Sequence, residues 1–143
     1  MIAAVYAALT VALAPISYGP LQFRVSEALT LLPFYLPEAI PGLFIGCVFA
    51  NFYGGFGLAD MVFGGLATLI AAVLTRKSPN LYISALWPVV SNMIIIGIML
   101  HVLINVPLIE TCIYIGLGEA GACYIVGVPL MKILEKQNLI CRS

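Results

Sequence analysis

The chain has 143 residues, of which 63% are hydrophobic and 8% are charged, and its six basic side chains balance six acidic ones. A soluble surface needs about a quarter charged residues, so this composition excludes an ordinary soluble domain. Continuously apolar runs such as residues 93–100 do not alternate as the strands of a transmembrane β-barrel do. We therefore predict an all-α membrane protein that forms a single domain over residues 1–143.

Six apolar segments are predicted to cross the membrane, and in chain order they are residues 1–17, 25–35, 41–53, 58–75, 81–104 and 108–134. Proline, glycine and polar residues separate them. At about 20 residues per span, six helices with short loops occupy nearly the whole chain. The first run begins without a polar leader, so we expect a few further residues to precede it.

The basic residues predict the orientation of this six-helix bundle. Lys and Arg in short loops are retained on the cytoplasmic side. A cytoplasmic N-terminus and six spans place five of the six there: Arg76, Lys77, Lys132, Lys136 and Arg142. Both termini are then cytoplasmic, and most of the remaining polar groups lie toward the outer side.

Arg24 and Glu27 form the densest polar group and share one face if the segment is helical, because they are three residues apart. A carboxylate accepts two parallel hydrogen bonds from adjacent N–H groups, and a guanidinium donates to a carbonyl oxygen. The pair could therefore form hydrogen bonds with both the donor and the acceptor groups of a heterocyclic ligand. The alternative is a local ion pair that neutralises two charges at the membrane interface.

Glu119 and Asn92 are predicted near the middle of the membrane, in the sixth and fifth spans. Inserting an ionisable group at that depth has a high free-energy cost, and such a group normally faces a cavity or a partner. Small neighbours in residues 116–121 permit close approach of a helix or of a flat ligand. A neutral, hydrogen-bonded carboxylic acid with a structural role is the competing interpretation.

Other polar and aromatic residues each allow two interpretations. Asp60 favours a helix cap over a ligand contact, and Asn51 and Asn92 suit either interhelical hydrogen bonds or ligand contacts. Trp87 suits stacking on a planar ring or an interfacial belt. His101 is interpreted as an interface residue, and the four cysteines as buried small hydrophobic residues.

An alanine stripe in the first span, Ala4, Ala8 and Ala12, allows another helix to dock closely, since small residues four apart mediate helix association in lipid. The sequence has no GxxxxGK[ST] phosphate loop, no nucleophile elbow and no HExxH. It therefore predicts no catalytic residue, no metal site and no cofactor in this chain.

Several sequence blocks resemble the QueT family of queuosine-precursor transporters, which are S components of energy-coupling factor transporters. The first and most specific block is Gln22-Phe23-Arg24-Val25-Ser26-Glu27-Ala28-Leu29. The others are residues 41–47 with Asn51, Asp60 with residues 63–64 and 67–69, residues 87–88 with Asn92, and residues 116–119. Their order and spacing extend the resemblance over nearly the whole chain.

This resemblance implies a six-helix fold with a ligand pocket open to the outside. It implies docking of Ala4, Ala8 and Ala12 on a transmembrane T component, with ATP hydrolysed by two separate ATPase subunits. The implied substrate is a 7-deazaguanine such as 7-aminomethyl-7-deazaguanine, with Glu27 and Glu119 as suitable acceptors. The other hypotheses are a structural or assembly membrane protein, an S component for a different vitamin-like molecule, and a small intramembrane enzyme.

Overall fold

The computed structural model describes residues 1–19 and 22–142, and this part of the chain is helical with no strand. It contains the helices α1 (Ile2–Ala12), α2 (Ala14–Ser17), α3 (Ala39–Phe52), α4 (Gly57–Lys77), α5 (Leu81–Ile104), α6 (Leu108–Ala120) and α7 (Val128–Lys136). A 3₁₀ helix, Val25–Phe34, precedes α3, and a π-helical segment, Gly121–Gly127, joins α6 to α7. The predicted all-α class is confirmed.

Three helical stretches are long and apolar enough to cross a membrane: Gly57–Lys77, Leu81–Ile104 and Leu108–Lys136. Three shorter apolar helices accompany them, namely Ile2–Ala12, Val25–Phe34 and Ala39–Phe52. These stretches, with their many exposed large hydrophobic side chains, are those of a helical membrane protein.

Helix α5 has the bounds that the sequence predicts, and local chemistry explains both ends. Asn80 caps the first turn, since its side-chain oxygen accepts a hydrogen bond from Ile83 N at 2.9 Å. Asn105 ends the helix in the left-handed conformation, with φ of 53°, which asparagine adopts more readily than most residues.

Two predicted spans differ from the structure in their helical form. The first is not continuous over residues 1–17, because it breaks at Leu13 before Pro15. A proline lacks the N–H that a continuous helix needs at that position and its ring crowds the preceding turn. The second forms a 3₁₀ helix of ten residues, with Glu27 N bonded to Arg24 O at 2.9 Å, although such helices are usually shorter.

Helices α1 and α3 pack backbone against backbone through Gly42 and Gly46. A Cβ atom on Gly46 would lie 2.8 Å from Ala3 O and 2.9 Å from Tyr6 Cβ, so a glycine is required for this approach. The two glycines, four residues apart, form the small-residue pattern of close helix packing in membranes. Tyr6 is fully buried as a result.

The 3₁₀ helix and the π segment pack against each other within the bundle. Gly127 permits the contact, since a Cβ atom there would lie 3.2 Å from Ala28 Cα. π-helical turns occur frequently at functional sites. This packing brings Glu27 close to the chain segment that carries Glu119.

The burial predicted for the cysteines is confirmed for Cys47 and Cys123 and is wrong for Cys141, which is exposed. Cys141 follows the last helix in a short tail, where no neighbouring helix covers it. Cys112 is half-buried, and all four thiols are free.

Candidate functional site

Arg24 lies at the N-terminal end of the 3₁₀ helix and is 4% exposed. Its Nη1 donates a hydrogen bond to Asn51 Oδ1 at 2.9 Å, and its Nη2 lies 4.0 Å from Asp60 Oδ2. Its guanidinium carbon lies 5.6 Å from the centre of the Tyr18 ring. Nε has no hydrogen-bond partner in the described part of the chain. The guanidinium is therefore held in place while one donor stays unused.

Asn51 joins the end of α3 to the start of α4. Its Nδ2 donates to the backbone oxygen of Asp60 at 2.9 Å, while its Oδ1 accepts from Arg24. A glycine at position 64 provides the necessary space, since a Cβ atom there would lie 2.1 Å from Asn51 Nδ2.

Asp60 is in the first turn of α4, but the cap position is Phe56 and receives no side-chain hydrogen bond. The capping role favoured for Asp60 is therefore wrong, and its carboxylate faces Arg24.

Glu27 is fully buried in the 3₁₀ helix and meets α1. The Tyr6 hydroxyl donates a hydrogen bond to Glu27 Oε1, whereas Oε2 has no partner among residues 1–19 and 22–142. One turn along α1, Thr10 Oγ1 and Ser26 Oγ are hydrogen-bonded at 2.6 Å. Hydroxyl groups of α1 thus fix the segment that carries Glu27.

Glu119 and Asn92 lie side by side, on α6 and α5, and are 2% and 4% exposed. Neither Glu119 Oε2 nor Asn92 Nδ2 has a hydrogen-bond partner among the described residues. The Glu119 carboxylate also interacts electrostatically with Glu27 and Arg24. The fold therefore brings together two glutamates that are 92 positions apart in the sequence.

Six of the seven residues predicted to bind a ligand form one buried group, called the polar cluster here: Arg24, Glu27, Asn51, Asp60, Asn92 and Glu119. Trp87 lies apart from it, and its Nε1 donates to Ser78 Oγ at 2.8 Å. Sequence reasoning missed Tyr6 and Thr10, which support the cluster. Their four-residue spacing on the face of α1 opposite the alanine stripe was an available signal.

A cavity of about 420 Å³ lies at the end of the bundle where α3 meets α4, called the Phe56 end here. Tyr18, Gln22, Phe56, Glu110 and Tyr114 contribute to its wall. The Tyr18 hydroxyl donates to Ala50 O, and its ring contacts Arg24. Tyr18 therefore belongs to both the cavity wall and the cluster. The cluster itself is closed off from solvent.

The polar cluster supplies donors and acceptors but no reactive constellation. In the part of the chain that the structure describes, no three His, Cys, Asp or Glu side chains are grouped so that they could hold a metal ion. A site of this kind is suited to non-covalent recognition of a small polar molecule.

Comparisons with known proteins agree with this description. A model of the QueT transporter family matches residues 1–136. The Queuosine precursor transporter QueT of Lactococcus lactis subsp. cremoris (strain MG1363) is 44% identical over 72 residues, which cover 49% of this chain and 42% of that protein. The match thus spans well under half of that relative.

No solved structure matches the chain. The family model nevertheless covers all the helices described above. The chain therefore belongs to the QueT transporter family, whose members are transporters and not enzymes.

Proposed function

We propose that this chain is the substrate-specific S component of an energy-coupling factor transporter. It captures a 7-deazaguanine precursor of queuosine, such as 7-aminomethyl-7-deazaguanine, at the outer face for ATP-driven uptake. The observation that carries the proposal is the polar cluster, which combines one cation, three carboxylates and two amides inside an apolar helical bundle. Buried polar groups normally find partners within the protein, and here several do not.

The unpartnered atoms of the cluster match the edge of a guanine-like base. Two are acceptors, Glu27 Oε2 and Glu119 Oε2, and two are donors, Arg24 Nε and Asn92 Nδ2. A guanine-like edge offers adjacent N–H donors and a carbonyl oxygen, which need a carboxylate and a donor opposite them. The ammonium of the aminomethyl group needs the second carboxylate.

We infer that the three shorter apolar helices cross the membrane together with the three long ones, giving six spans and cytoplasmic termini. Supporting this orientation, Arg76 and Lys77 end α4, and Lys136 ends α7, at what is then the cytoplasmic face. The cavity at the Phe56 end then opens outward. It gives a ligand access to Tyr18 and, beyond it, to Arg24.

The alanine stripe of α1 is the proposed docking surface for the transmembrane T component. Ala4, Ala8 and Ala12 are exposed, whereas Tyr6 and Thr10 on the opposite face are buried. The helix therefore has one face committed to the cluster and one free for a partner helix. Two separate ATPase subunits hydrolyse ATP in this proposal, and the chain itself needs no cofactor.

Ligand binding by the purified full chain tests the capture function. We expect saturable binding of 7-aminomethyl-7-deazaguanine without ATP, measured by isothermal titration calorimetry in detergent. The control ligand is 7-deazaadenine, which lacks the adjacent N–H donors and should bind much more weakly. Folded protein that binds neither base would contradict the proposal and favour the structural or assembly hypothesis.

Complex formation tests the docking surface separately. Ala8→Leu should abolish co-purification with the T component and the ATPase subunits, because a bulky side chain blocks close helix approach. Ligand affinity should be unchanged. The control is Val62→Leu, which enlarges an exposed side chain on α4. Normal complex formation by Ala8→Leu would rule out this surface.

A further inference from the structure

The charges of the polar cluster do not balance. Its buried ionisable groups are Arg24 and three acids, Glu27, Asp60 and Glu119. Asp60 is the acid paired with Arg24, at 4.0 Å. If Glu27 and Glu119 were both ionised, two carboxylates would share a dry interior without a cation of their own. Such an arrangement has a large free-energy cost, which proteins avoid by binding a proton.

The surroundings of the two glutamates differ in a way that selects the one that holds the proton. Glu27 Oε1 accepts a hydrogen bond from the Tyr6 hydroxyl, which stabilises an ionised carboxylate. Glu119 Oε2 has no hydrogen-bond partner among residues 1–19 and 22–142. Its neighbour Asn92 has an amide oxygen to which a carboxylic O–H can donate, and the Nδ2 of that amide makes no hydrogen bond within residues 1–19 and 22–142.

Within residues 1–19 and 22–142, the elements packed around Glu119 supply no cation besides Arg24. The titratable groups that face at least one of the two glutamates are Tyr6 of α1, Cys47 of α3 and Cys123 of the π segment, while Asp60 of α4 faces Arg24. Helix α5 contributes the neutral Asn92. Each of these groups is either neutral at physiological pH or negatively charged.

We propose that Glu119 holds a proton in the ligand-free protein and releases it when a cationic ligand binds in the polar cluster. The inference rests on the proposed capture function and adds the charge of the ligand to it. The O–H bond of Glu119 breaks, the proton leaves to solvent, and the N–H donors of the ligand take its place. One positive charge replaces another, so the net charge of the buried cluster is unchanged.

This exchange makes the site selective for a cation. A neutral congener of the same shape leaves the cluster with two uncompensated carboxylates, one more than in the ligand-free protein, if Glu119 loses its proton. If Glu119 keeps the proton, the ligand meets a donor where it needs an acceptor. The aminomethyl base is therefore preferred over a congener such as 7-methyl-7-deazaguanine, which has the same guanine-like edge without the ammonium.

Proton release is measured by titrating the full chain with 7-aminomethyl-7-deazaguanine in buffers of different ionisation enthalpy at one pH. We expect release of about one proton per ligand bound. Over the pH range in which Glu119 is protonated in the ligand-free protein, the affinity should increase about tenfold for each unit by which the pH rises. In Glu119→Gln the release should vanish. The control Glu38→Gln, at an exposed acid, should behave as wild type. Heats of binding that do not depend on the buffer would overturn the proton exchange and leave capture intact.

Infrared spectroscopy of the ligand-free protein provides a readout that needs no ligand. The wild-type spectrum should contain the C=O stretch of a protonated carboxyl group that is missing from Glu119→Gln and retained in Glu38→Gln. Absence of that band would overturn the protonation of Glu119. If the folded protein shows this carboxyl band but binds no 7-deazaguanine, the proton on Glu119 is supported. The proposed capture function, and with it the exchange of the proton for a ligand, would then be contradicted.

Discussion

The two ends of the helical bundle differ in whether their polar side chains have hydrogen-bond partners within the chain. At the end where α4 meets α5, called the Ser78 end here, polar side chains are paired within the chain. Arg142 donates to Ser78 O at 2.9 Å and to Pro79 O at 3.2 Å, and Tyr35 donates to Glu135 at 3.1 Å. The buried side-chain atoms without a partner lie elsewhere in the described structure, in Ser17, Arg24, Glu27, Asn92 and Glu119.

This contrast distinguishes polar residues that stabilise the fold through hydrogen bonds within the chain from polar residues whose unpaired atoms remain available to a ligand. A paired group lowers the free energy of the folded chain by a modest amount, whereas an unpaired buried group raises it. The polar groups of the Ser78 end have their hydrogen bonds, whereas several atoms of the polar cluster do not. The chain is therefore less stable than it would be if the cluster were also fully hydrogen-bonded. Functional sites are where such a loss is expected.

The largest expected effect comes from neutralising the cluster acids. Glu27→Gln and Glu119→Gln should each weaken binding of 7-aminomethyl-7-deazaguanine by about 100-fold, because each removes a charged acceptor from a buried site. Thermal stability should be unchanged or higher, because neither variant creates an unpaired buried charge that the wild-type chain lacks. Titration calorimetry and thermal unfolding in detergent measure the two quantities. A large loss of stability in both variants would assign the acids to the fold and remove the contrast.

Close packing of α1 should have the next largest effect. Gly46→Ala places a methyl group within 3.0 Å of three atoms of α1, and overpacking of this kind costs about 1–3 kcal/mol. It also shifts Tyr6 against Glu27, so binding should weaken together with stability. Gly55→Ala is the control, since a Cβ atom there meets nothing within 4 Å. Equal unfolding temperatures for the two variants would contradict the required glycine contact.

The sequence predicts the fold well where the signal is local. Helix α5 has an asparagine at each end and an apolar run between them, so its bounds follow from capping chemistry and hydropathy. The 3₁₀ form of Val25–Phe34 and the π form of Gly121–Gly127 have no comparable local signal. They accompany a tertiary contact, the approach of Ala28 to Gly127, which lies far beyond any sequence window.

The candidate site shows the same division. Arg24 and Glu27 are predicted together because they are neighbours in sequence, and Glu119 is predicted from its position near the middle of an apolar span, with which the family resemblance agrees. The placement of Asp60 against Arg24 depends on the turn between α3 and α4, so local reasoning assigned it to a helix cap. Trp87 is a different case. Its ring chemistry suits a flat ligand, yet the structure joins it to Ser78, and its role in binding stays a prediction.

The smallest expected effect comes from the paired end of the molecule. Ser78→Ala removes the acceptor of the Trp87 indole at 2.8 Å and the hydroxyl bond to Leu74 O at 2.9 Å. Each is an ordinary neutral hydrogen bond, so the variant should lose about 1–2 kcal/mol of stability. The polar cluster does not include Ser78, so affinity for the 7-deazaguanine should remain within about twofold, since distant sites behave independently. Thermal unfolding and calorimetry of the same preparation measure both quantities. Weaker binding without a loss of stability would connect the Ser78 end to ligand recognition, and the two ends would then no longer have separate roles.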